Sequence, residues 1–153
     1  MVIHHLDSDF KEFPTLKAMV KKISTLLKPG GKLCISTMFQ DTLKSLWFYN
    51  IHKESADKYF EKWVSRPKLK SFYEESGLIN LQEVKCFEHL CGYQHYNATF
   101  PLSDELIRTL SFYTTVGENL GAYRKTLAVM LEKGTFPKYL HDCEERIKEF
   151  GAS

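Results

Sequence analysis

With 153 residues the chain has the length of one ordinary domain, and 43% apolar residues suffice for a packed core and are too many for a disordered chain. A formal charge of +2 and a pI near 8.3, with basic residues spread along the chain, give no field suited to nucleic acid or an anionic membrane. The expectation is neither a signal peptide nor a membrane span, and the irregularly spaced Cys34, Cys86, Cys91 and Cys143 point to free thiols in a reducing, cytoplasmic compartment.

The predicted elements begin with Met1–His5, a short apolar run ending in two histidines, which reads as the end of a buried strand. Pro14 suits the first turn of a helix, and Leu16, Met19, Val20, Ile23, Leu26 and Leu27 make one apolar stripe at helical spacing. Pro29-Gly30-Gly31 stops that helix, and Lys32–Thr37 reads as a compact strand. Strand, helix, Gly-rich turn and strand form one βαβ unit with parallel strands. A helical stretch from about 41 to 64, broken near 53–55, follows. Arg66–Lys70, the densest basic cluster, starts a shorter helix with Leu69, Phe72 and Tyr73 on one face, ended by Gly77. Residues 79–87 alternate and read as a third strand. Ser103 is a candidate N-cap for a helix with Leu106, Ile107, Leu110 and Tyr113 on its inner face. Gly117 and Gly121 break the pattern, and helices resume at 123–133 and 138–150.

Val2-Ile3-His4-His5-Leu6, an amphipathic helix, and then Leu26-Leu27-Lys28-Pro29-Gly30-Gly31-Lys32-Leu33-Cys34-Ile35-Ser36 carry a resemblance. The chain resembles the class I S-adenosylmethionine-dependent methyltransferases from their fourth strand onward. Ser76-Gly77-Leu78 is similar to that family's step into its sixth strand, and residues 100–150 are similar in type to a substrate-covering insert. The resemblance implies an α/β fold, a partial Rossmann-like three-layer sandwich without its N-terminal half. Residues 1–100 would belong to that layer and 101–153 to a helical lobe. It implies methyl transfer to a small organic molecule, with S-adenosylmethionine held by the full-length parent and not by this chain alone. The family's glycine-rich cofactor loop and the acid ending its second strand would precede residue 1. No Gly-x-Gly-x-x-Gly occurs among the glycines at 30, 31, 77, 92, 117, 121, 134 and 151. A fragment, a short isoform and half of a split domain all fit, as does a non-catalytic remnant or binding module. Open sheet edges would favour self-association.

Ligands of open α/β sheets sit beyond the carboxyl ends of strands, where His4, His5, Thr37, Met38 and Phe39 would lie. One of the two histidines would contact the methyl acceptor or serve as general base; the alternative is that both cap the strand and bind backbone. Phe39, Trp47, Phe48 and Tyr49, with Tyr113, either enclose a flat or cationic substrate or pack as core. Thr37, Met38, Phe39, Trp47 and Tyr113 are the substrate-binding candidates. Cys86, His89, Cys91 and His95 have no standard zinc spacing, so no metal is expected. Asn97-Ala98-Thr99 fits the glycosylation acceptor pattern, which has meaning only on secretion.

Overall fold

A computed structural model describes residues 3–84, 97–108 and 112–150. Every regular element among them is a helix, with no strand. The expected α/β Rossmann-like sandwich is thereby corrected, and the reason is local. Ile3–His5, expected to end a strand, coils into a single 3₁₀ turn closed by the Leu6 N–H donating to the Ile3 carbonyl at 3.2 Å. A parallel strand needs an extended neighbour to satisfy its N–H and C=O groups. Residues 32–37 have none among the described residues. The third expected strand fares likewise: 79–84 carry no regular structure, and 85–87 lie outside the described residues. No helix among the described residues is long and apolar enough to cross a membrane.

The chain divides into two compact units, one of residues 1–40 and 61–84, the other of residues 41–60 and 85–153. In the first, α1 (Pro14–Leu26) packs against α4 (Arg66–Glu75). Leu16 and Val20 from α1 and Leu69 and Phe72 from α4 close on Ile3, Phe13 and Val64. Of the stripe read from the sequence Leu16 and Val20 are buried, Met19, Ile23 and Leu27 are half-buried, and Leu26 is 70% exposed in the last turn.

The start of α1 is capped from a distance. Phe13, in the N-cap position, lies in the left-handed region at φ 49° and offers no side-chain acceptor. Asp7 supplies it: its carboxylate accepts from the N–H groups of Thr15 at 2.6 Å and Leu16 at 2.9 Å. These are the second and third helical residues, where an N-cap side chain normally bonds, and a negative charge there also meets the positive end of the helix dipole. Asp7→Ala should lower the unfolding free energy of this unit by about 1 kcal/mol, and Asp7→Asn by less, read from denaturant midpoints. An unchanged midpoint for Asp7→Ala would refute the capping role.

Helix α1 ends as its residues dictate. Gly30 takes φ 77°, and the Gly31 N–H donates to the Lys28 carbonyl at 2.7 Å. A side chain at Gly31 would bring its Cβ within 2.8 Å of that same carbonyl oxygen, so the turn requires glycine at both positions. Helix α4 begins at Ser65, whose hydroxyl accepts from the Lys68 N–H, and has Pro67 in its first turn. It closes in a Schellman motif: Leu78 N–H donates to the Tyr73 carbonyl and Gly77 N–H to that of Glu74, with Gly77 at φ 76°.

The second unit has, along the stretch expected to be helical from 41 to 64 with a break near 53–55, α2 (Gln40–Leu43, its first residue in the other unit), a 3₁₀ turn at Trp47–Tyr49, and α3 (Lys53–Phe60). Further along stand α5 (Asp104–Ile107), α6 (Tyr113–Val116), α7 (Leu120–Glu132) and α8 (Phe136–Phe150). Gly121 falls inside α7 and does not break it. The core is aromatic. Tyr49 stacks on Tyr59 with ring centroids 5.1 Å apart, and Phe112 meets both edge-on at 5.1 Å. Trp47 lies edge-on to Phe136 at 4.8 Å. Such arrangements suit the ring quadrupoles and add to the area buried.

Candidate functional site

His4 and His5, the expected acid–base pair, belong to the 3₁₀ turn and not to a strand end, and the His5 side chain is exposed. Thr37, Met38 and Phe39 are half-buried in the first unit. Trp47 and Tyr113 belong to the second. Trp47 is fully buried among rings, and Tyr113 is half-buried with the Arg108 guanidinium 5.6 Å from its ring centre. Cys86, His89, Cys91 and His95 lie outside the described residues, and among the described ones no group of three His, Cys, Asp or Glu side chains could hold a metal ion.

The first unit carries an open depression of about 490 Å³ lined by Ser8, Asp9, Phe10, Lys11, Gln40 and Glu61. Its central carboxylate is already committed. Asp9 accepts from the N–H groups of Lys11 at 3.0 Å and Glu12 at 3.1 Å, and these two bonds hold its carboxyl below the usual range. The amide of Gln40 donates to the Trp63 carbonyl at 3.1 Å. Among the lining residues no hydrogen bond joins the Ser8 hydroxyl to a base.

The segment after Gly31 is more informative. Lys32, Cys34 and Ser36 are exposed, whereas Leu33, Ile35 and Thr37 are half-buried. That alternation is what an extended chain gives when one face rests on a core, and Ile35 and Phe39 do pack against the cluster of α1 and α4. Yet no backbone hydrogen bond joins residues 32–39 to another described residue. Leu78 packs inward, but 79–84 are exposed throughout, with Ile79 and Val84 each at 80%. Arg66, the first residue of α4, holds the far ends of both stretches. Its guanidinium lies 4.4 Å from the centre of the Phe39 ring, and its Nε donates to the Glu83 carboxylate at 2.8 Å. In the sequence Arg66 is only part of the basic cluster that starts a helix, and this role does not show; an arginine opening a helix is common, and only the folded positions of 39 and 83 reveal what it binds.

Around the 3₁₀ turn of the second unit, backbone carbonyls take side-chain donors. The Tyr123 hydroxyl donates to the Phe48 carbonyl at 2.7 Å and the Tyr139 hydroxyl to the Trp47 carbonyl at 3.3 Å. The Asn50 amide donates to the Leu46 carbonyl at 2.9 Å. Burial pushes both phenols well above their ordinary value of 10. The folded state therefore keeps those protons after the unfolded chain has lost them. Stability is fully present below pH 10 and falls as pH rises beyond it. Denaturant midpoints followed from about pH 8 to about pH 11 should drop for the native chain and drop less steeply for the Y123F/Y139F double variant. Equal slopes would contradict the assignment.

Comparison with protein-family models, with curated proteins and with solved structures finds no match to this chain.

Proposed function

We propose that the chain is a non-catalytic interaction module that takes up a partner strand along residues 32–37. The observation that carries this reading is that the backbone of that stretch has no hydrogen-bond partner among the described residues. Ile35 rests on the core of the first unit with Leu33 and Thr37 half-buried, Lys32, Cys34 and Ser36 are exposed, and the N–H and C=O groups join no other described residue. An edge of this kind is the natural seat for strand addition, in which main-chain hydrogen bonds supply affinity and alternate side chains supply specificity. We place the module in the cytoplasm on the irregular spacing of its cysteines and the exposed thiol of Cys34.

A second reading is favoured by the run from Leu26 to Ser36 and its likeness to class I methyltransferases. It makes the chain part of an enzyme that transfers a methyl group from S-adenosylmethionine to a small organic molecule, other segments holding the cofactor. Titration of S-adenosylmethionine into this chain in a calorimeter tests the module reading, which expects no binding heat; saturable, stoichiometric binding would overturn it and would place the cofactor on this chain rather than on other segments.

A further inference from the structure

The first unit holds two stretches that have no partner strand among the described residues, and their chemistry is complementary. Lys32 is the single charge of residues 32–37, and Glu83 is the single charge of residues 79–84. Neither stretch makes a backbone hydrogen bond to another described residue. The second stretch also exposes Ile79, Leu81 and Val84, three of the large apolar side chains most open to solvent. Asn80 stands at φ 56°, which interrupts extended backbone and leaves Leu81–Val84 as the pairing stretch.

Resting on the module reading above, we infer that the occupant of this edge is a second copy of the chain. Gly31–Cys34 of one copy pairs antiparallel with Leu81–Val84 of the other, placing Lys32 beside Glu83, and a two-fold axis makes the contact twice. The arrangement is self-complementary, as a two-fold interface must be. It satisfies backbone groups on both stretches and withdraws apolar side chains from water. It sets opposite charges across the ladder, where like charges are unfavourable. Glu83 keeps its contact with Arg66 through one carboxylate oxygen and offers the other to Lys32.

Light scattering on the full chain across a concentration series tests this. The native chain should approach twice its 17.8 kDa mass. Lys32→Glu alone and Glu83→Lys alone place like charges at both contacts, so each should dimerise about tenfold more weakly or worse. Mixed one to one, the two variants restore opposite charges at both contacts. The two substituted side chains face each other at one contact and the two native ones, Lys32 and Glu83, at the other, so the dimer should return. Cys34→Pro, which disturbs the ladder without touching Arg66, should be monomeric with its helical circular dichroism intact, and it keeps the test open if Glu83→Lys loses its fold. A native chain that stays monomeric throughout, or a mixture no tighter than either variant, overturns the self-pairing. Saturable binding of S-adenosylmethionine would instead overturn the module reading, so the two failures are distinguishable.

Discussion

Replacing Trp47 by alanine should cost the second unit about 3–5 kcal/mol, the range for removing a large aromatic side chain from a core. Trp47 is 0% exposed. Its ring meets Phe136 edge-on at 4.8 Å and Phe48 at 5.7 Å, and its carbonyl accepts from the Tyr139 hydroxyl. Truncation would empty a space that the close-packed rings around it cannot easily refill. Domains of this size are stable by only about 5–15 kcal/mol, so the loss is a large part of the whole. Urea unfolding followed by far-ultraviolet circular dichroism measures it. A loss below about 1 kcal/mol would mean that Trp47 is not part of the packing and would reopen a ligand-contacting role.

The second large effect belongs to the other unit. Phe72→Ala should cost about 3–5 kcal/mol, because the ring is 2% exposed at the contact of α4 with α1. The ammonium groups of Lys17 and Lys68 lie 5.8 and 5.9 Å from its centre, adding a modest cation–π attraction that alanine also removes. Phe72→Leu keeps most of the volume and should recover more than half of the loss. Lys17→Ala and Lys68→Ala should each cost well under 1 kcal/mol, since their carboxylate partners Glu75 and Glu12 are exposed. A Phe72→Ala chain that unfolds at the native midpoint would refute this account of the α1–α4 core.

The helices of the first unit were legible in the sequence, and the absence of strands among its described residues was not, for a single reason. Pro14 at a helix start, the stripe through Leu16 and Val20, and glycines at 30, 31 and 77 are local signals, and each acts locally in the fold. A strand depends on its neighbour. Lys32–Thr37 does alternate between exposed and half-buried, but alternation does not supply a partner, and Ile3–His5 coils away. Aromatic content after residue 38 pointed to one cluster without telling core from pocket. Burial assigns Trp47, Phe48 and Tyr49 to packing. The cap by Asp7 was hidden because the carboxylate reaches Leu16 across nine residues of sequence, whereas cap patterns are read within three. Arg66 was hidden likewise, since its partners Phe39 and Glu83 are distant in the chain.

The most direct test of the account is amide hydrogen exchange at residues 32–37, measured residue by residue at low and at high protein concentration. The account predicts amides that exchange almost freely in the dilute chain while those of α1 and α4 are protected, with protection at 32–34 rising as concentration rises. Strong protection across 32–37 that is the same at every concentration would contradict it, because those N–H groups would then be satisfied within a single chain.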